Sequence, residues 1–164
     1  MSRLVRVEAR GLPEVLEILR HMGPASLVMD VEPLVVSWNS PPSRVNDAML
    51  LISNEIRRNV GSVQAIVFAT NSRRFRAVLR EDPSPVVLVQ RAGKPWRRKY
   101  AQHLPRPMVV IGDQIFTDGL LAVRLGASFV HVDAGVTMPA WPRVQRLLGR
   151  SIQHVIFGSD PSNA

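Results

Sequence analysis

A chain of 164 residues, 46% of them hydrophobic and with a mean hydropathy near zero, is long enough to bury a core without disulfides or a structural metal. It contains no cysteine, which excludes thiol catalysis, disulfides and cysteine-bound zinc. The formal charge of +8 rests on 19 Arg and two Lys, so its basic character is almost wholly guanidinium, suited to phosphate-bearing partners or reflecting a GC-rich genome.

No stretch approaches the roughly 18 apolar residues of a membrane span. Glu8, Glu14 and Glu17 argue against a signal or transit peptide at the N-terminus, so the expected location is cytoplasmic. Repeats, low complexity and internal linkers are absent, and one domain is expected over 1–164, with a short helix at about 12–22 and a core over about 25–157.

Apolar positions at helical spacing behind Pro13 in "PEVLEILRH" predict that first helix. "ASLVMD" predicts a strand ending at Asp30, and a polar, proline-bearing loop then leads to a helix over "SRVNDAMLLISNEIRRNV". "VQAIVFATN" predicts a second strand stopped by Thr70 and Asn71, followed by a helix over "SRRFRAVLRE". "SPVVLVQRAGK" supplies a third strand and its loop, and "PWRRKYAQHL" a helix with proline in its first turn. The fourth strand is "MVVIG", followed by a helix through "TDGLLAVRLG" with Gly126 as C-cap. "SFVHVD" is the fifth strand, "WPRVQRLLGR" a further helix, and "SIQHVIFG" an edge strand or tail.

Strands alternating with helices of this length predict an α/β fold: a three-layer, Rossmann-like sandwich around a mostly parallel five-stranded sheet. In such a sheet the loops after the strands converge on one rim, where ligands bind. Those loops hold Asp30 and Glu32, then Thr70 and Asn71, then Lys94, then Asp113 and Asp118. Each residue has an ordinary structural reading beside the functional one. Asp113 and Asp118 suit a turn and a helix first turn, Thr70 and Asn71 a helix N-cap, and Lys94 a solvated loop. Asp30 fits less easily, because a charge ending a buried apolar strand needs a partner. The histidines His21, His103, His131 and His154 lack zinc-site spacing. Arg73 and Arg97 lie near the rim, where they suit an anionic substrate tail, and Trp38, Trp96 and Trp141 follow rim loops.

The ordered set of Asp30, "ATNSRR", "RAGKPWRRKY" and "GDQIFTDGLLAVRLGA" resembles the haloacid dehalogenase (HAD) superfamily. The closer resemblance is to its small capless members in subclass IIIA, of the YqeG type, related to mitochondrial phosphatidylglycerophosphate phosphatases. It runs from about Leu27 to Asp133. The resemblance implies a capless HAD fold and phosphomonoester hydrolysis through an aspartyl phosphate. Asp30 would be the nucleophile, Glu32 the general acid and base, and Mg²⁺ would bridge Asp30, Asp113 and Asp118 to substrate with the Glu32 carbonyl. Thr70 and Asn71 would bind the phosphoryl group, and Lys94 would offset charge on nucleophile and phosphate. The chemistry needs those cations, because a phosphate dianion repels a carboxylate nucleophile.

The first motif departs from the family pattern. Where relatives read DxDxT, this chain reads "DVEPL". Glu32 keeps nearly the same acid strength but moves the carboxyl by one methylene, a displacement that can cost on the order of a hundredfold in rate. Pro33 removes a backbone donor, and Leu34 replaces a bracing hydroxyl. Two functions are therefore carried forward. One is a Mg²⁺-dependent phosphatase with an open site for a bulky substrate such as a lipid head group. The other is a catalytically impaired relative whose basic surface binds RNA, ribosomal particles or anionic membranes.

Overall fold

The computed structural model describes residues 6–38, 40–73, 86–133, 135 and 140–157. In chain order these form β1 (Arg6–Ala9), α1 (Leu12–Met22), β2 (Ser26–Met29), α2 (Ser43–Asn59), β3 (Ala65–Ala69), β4 (Val86–Val89), β5 (Met108–Gly112), a π-helical turn (Ile115–Gly119), α3 (Leu120–Leu125), β6 (Ser128–Val132) and α4 (Ala140–Phe157). The six strands make one parallel sheet in the order β1-β6-β5-β2-β3-β4. The α/β sandwich is as expected, but the sheet has six strands rather than five. The addition is β1, whose four residues "RVEA" carry two charges and pair along one edge only, with β6. A short, charged edge strand lacks the apolar run that marks a buried one.

Both faces of the sheet are covered, which explains the continuous apolar strands. Alternate side chains go to opposite sides: Leu27, Met29, Ile66, Phe68, Val109 and Ile111 pack with residues of α1 and α2. Val28, Val67, Val110 and Phe129 pack instead with Leu121 and Leu125 of α3 and with Ile156 and Phe157 of α4. Phe157 stacks on Phe129 with ring centroids 5.7 Å apart.

Two other expectations are corrected. The segment after Lys94 is a series of turns rather than a helix. In a helix the Lys94 carbonyl would accept from the amide of residue 98, but the Asn71 side chain occupies it, at 3.2 Å. "SIQHVIFG" is neither edge strand nor tail, because residues through Phe157 continue α4. Gly149, Ile152, Gln153 and Ile156 recur on its covered side at helical spacing. The helix expected over "SRRFRAVLRE" falls largely on residues 74–85, outside those described. Gly126 does end α3, in the left-handed conformation at φ 60°.

From β2 the chain moves outward to β3 and β4, then returns to β5 on the other flank of β2. This change of direction opens a crevice at the carboxyl ends of β2 and β5, the place where open α/β sheets hold ligands. Asp30 and Asp113 immediately follow those two strands. Among the described residues no helix is long and apolar enough to cross a membrane.

Core truncation tests the layered packing. Phe68→Ala, which empties a fully buried position, should cost about 3–5 kcal/mol in urea unfolding. Leu51→Ser, at a position 73% exposed, should stay within about 0.5 kcal/mol of the parent.

Candidate active site

The Lys94 ammonium is buried between two carboxylates, with Nζ 2.9 Å from Asp30 Oδ1 and 2.7 Å from Asp118 Oδ1. Asp30 extends the sheet by one residue, since its N–H donates to the Ile111 carbonyl at 2.9 Å. Its Oδ1 also accepts from the Val31 amide at 2.8 Å. Three parts of the chain far apart in sequence thus meet on one cation.

Lys94 is placed through its backbone. Asn71 accepts from the Lys94 N–H at 2.9 Å and donates to the Lys94 carbonyl, so both ends of its amide hold the lysine loop. Thr70 Oγ1 accepts from the Ser72 N–H at 3.0 Å, a local turn bond that keeps the hydroxyl hydrogen available. The bond of the Ala92 N–H to the Thr70 carbonyl, 2.9 Å, ties the two loops together.

Asp118 reaches the centre from the π-helical turn. The amides of Asp118 and Gly119 both donate to the Gln114 carbonyl, at 2.8 and 3.3 Å, which widens the turn. Asp118 Oδ2 lies 3.4 Å from the Gln114 amide while Oδ1 faces Lys94, so one carboxylate serves both turn and cation. Gly112 makes room for it: a Cβ there would stand 2.5 Å from the Asp118 Cβ. Only glycine fits, because Asp118 folds back over the strand end.

Asp113 contrasts with its neighbours. Both of its carboxylate oxygens are buried and neither has a hydrogen-bond partner among the described residues. One ligand oxygen from each of Asp30, Asp113 and Asp118 lies within 4.8 Å of the others. With all three ionised, these carboxylates and the single ammonium would leave an excess of two negative charges. A hard divalent cation held by oxygen ligands fits that set, with Asp113 as its unshared ligand. Mg²⁺ matches this donor chemistry.

The electrostatics follow from burial. Desolvation pushes Asp30 up to about 7, with Lys94 opposing it and Asp118 adding to it. Asp113 rises to about 8, first from burial and then from the charges of Asp30 and Asp118. Burial favours the neutral amine of Lys94, but Asp118 and Asp30 outweigh it and hold its pKa above the ordinary lysine value.

Of the residues expected to form the site, Asp30, Lys94, Asp113 and Asp118 meet directly, and Asn71 joins them through the Lys94 backbone. Glu32 is buried in the turn after β2 but stands outside the three-carboxylate group. Sequence reasoning passed over His131, whose Nε2 donates to the Asp113 carbonyl at 3.1 Å and fixes that residue's backbone. The register pairing Gly112 with His131 was the available signal, but it depends on knowing that β5 and β6 are neighbours. Burial and then Arg6 lower the His131 pKa, consistent with a neutral ring.

A family model described as HAD-hydrolase-like matches residues 82–149, the stretch carrying Lys94, Asp113 and Asp118. That stretch is therefore similar to a family of hydrolases. No curated protein and no solved structure matches the chain.

Two outcomes follow for the metal-free protein. An acid whose folded pKa is raised stabilises while protonated, fully below the unfolded value and decreasingly as pH rises through the folded one. Melting in chelator should therefore weaken as pH rises from about 4 to about 8, Mg²⁺ should restore stability at the upper end, and Asp113→Asn should flatten both responses. Gly112→Ala should displace Asp118 and weaken Mg²⁺ binding at least about tenfold by calorimetry, whereas Gly61→Ala, where a Cβ meets nothing within 4 Å, should leave it unchanged.

Proposed function

We propose that the protein is a Mg²⁺-dependent phosphomonoester hydrolase of the HAD type, close to the YqeG-type phosphatases, working through an aspartyl phosphate on Asp30. The observation that carries this reading is the pairing of a lysine-bridged aspartate with a buried, unpartnered Asp113 at the switch point of the sheet. The bridge supplies a nucleophile held in place, and Asp113 supplies a ligand for the metal.

Bound Mg²⁺ would supply charge neutralisation, allowing a phosphate dianion to approach Asp30. Asp30, Asp113 and Asp118 would hold it, with the Glu32 carbonyl. The Asp30 carboxylate attacks phosphorus, the bond from phosphorus to the ester oxygen breaks, and the leaving oxygen takes a proton from Glu32. Water then attacks the aspartyl phosphate, giving its proton to Glu32. The Asp30 carboxylate leaves, and inorganic phosphate is released. Lys94 favours the ionised form of Asp30 against the effect of burial and offsets the charge that collects on the phosphoryl oxygens. The Thr70 hydroxyl donates to one of those oxygens, while Asn71 positions the lysine.

Between Asp30 and Thr70 the described chain holds α2, β3 and loops, with no inserted domain over the rim. An open site suits a bulky phosphorylated substrate, including a phosphate carried on a lipid head group. Glu32, Pro33 and Leu34 set the rate rather than the pathway, because they alter the acid's loop and leave the charged centre in place.

Phosphate release from p-nitrophenyl phosphate with Mg²⁺ tests the assignment. Asp30→Asn should lower the rate at least about a hundredfold, and equal rates would remove Asp30 as nucleophile. The combined change Glu32→Asp, Pro33→Asn and Leu34→Thr should raise turnover by up to about a hundredfold.

A further inference from the structure

The loop that carries Lys94 also forms the wall of a second cavity, of about 710 Å³. Arg91, Arg97, Arg98 and Lys99 line it, and no carboxylate does. Among the described residues, the side chains of Arg91, Arg97 and Lys99 have no hydrogen-bond or ion-pair partner, while the Arg98 guanidinium donates to the Arg124 carbonyl at 2.8 Å. Four cations drawn around one concavity repel one another in water, and a bound polyanion relieves that repulsion.

Trp96 stands in the same wall and is 67% exposed. The Arg124 guanidinium lies 5.7 Å from its ring centroid, a cation–π contact that steadies the indole without covering it. Arg91 adopts φ 48°, a left-handed conformation that a residue with a Cβ seldom takes, at the point where the loop turns into the cavity. Its N–H is held by the Ser72 carbonyl at 3.3 Å. The arrangement combines a steadied aromatic face with unpaired guanidinium and ammonium groups on both sides of it in sequence.

We propose that this cleft binds single-stranded nucleic acid, with a base stacked on Trp96 and backbone phosphates against Arg91, Arg97 and Lys99. Stacking on an aromatic platform within a basic groove is how sequence-tolerant single-strand binding works, since every base offers a π-face and every linkage a charge. The chemistry favours this ligand over an anionic bilayer. The cleft is concave, and its large side chains are cationic, aromatic or amide-bearing, with no Leu, Ile or Phe in its wall to enter a membrane. The proposal stands apart from the phosphatase reading, because none of the lining residues named here is assigned a step in hydrolysis.

Anisotropy of a fluorescein-labelled oligouridylate and an oligothymidylate, at two salt concentrations and without Mg²⁺, tests it on the full chain. Trp96→Ala should weaken binding about tenfold and Trp96→Phe should recover most of it, because a second ring restores the stacking face. Replacing Arg91, Arg97 and Lys99 together with Gln should lower the logarithmic salt slope by about two. Melting temperatures near the parent's establish that each variant is folded. Unchanged affinity in Trp96→Ala, or an unchanged salt slope in the triple variant, would overturn the proposal. So would Trp96-dependent binding to phosphatidylserine vesicles with no binding to either oligonucleotide, which would reassign the cleft to a membrane surface.

Discussion

A lysine ammonium with almost no access to water, held between Asp30 and Asp118, is the contact on which the rest of the site depends. Removing one member of a buried ionic group typically costs 3–5 kcal/mol, because the survivors stay desolvated without compensation. Even intact, the group is out of balance. Asp113 adds a third carboxylate within 4.8 Å of the other two, and at that range like charges repel by a few kcal/mol in a partly screened interior. The fold resists this repulsion through the sheet it is built on, and a divalent cation would relieve it.

Much of the remaining architecture can be understood as support for that centre. The parallel sheet brings Asp30 and Asp113 side by side because β2 and β5 are neighbours despite the long interval of chain between them. The glycine ending β5 lets Asp118 lie across it, and the π-helical turn sets the direction from which Asp118 arrives. α4 holds this turn from outside: a Cβ on Gly149 would come within 3.0 Å of the Phe116 backbone nitrogen. Packing at the far end of the chain therefore bears on the position of a carboxylate at the rim. The second cavity is lined by residues that flank Lys94 on the same loop, so one loop serves both a cationic groove and the buried charges.

The apolar runs at residues 27–29, 65–69 and 108–111 made the parallel sheet legible, because strands covered on both faces have no polar alternation to confuse the reading. Asp30, Lys94, Asp113 and Asp118 were also legible, since a residue that ends a strand in such a sheet must reach the common rim. What stayed hidden depends on contacts distant in sequence. β1 is a strand because β6 lies beside it, the turns after Lys94 replace a helix because Asn71 takes a carbonyl, and α4 runs to Phe157 because Phe129 offers a stacking face. The partnerless state of Asp113 was equally out of reach, because a sequence names an acid without naming what surrounds it. The spacing of His131 speaks only against zinc, whereas its contact is to a carbonyl across a strand pair.

The proposal at the centre is that Asp30, Asp113 and Asp118 hold one divalent ion beside one phosphoryl group, which Lys94 contacts. The most direct measurement is a crystal structure with Mn²⁺, located by its anomalous signal, and beryllofluoride as a phosphoryl mimic. The account predicts a single ion bound by Asp30 and Asp113, with the mimic on the Asp30 carboxylate and in contact with Lys94. An ion placed away from Asp113, or a mimic lodged elsewhere while Asp30 remains bare, would contradict it.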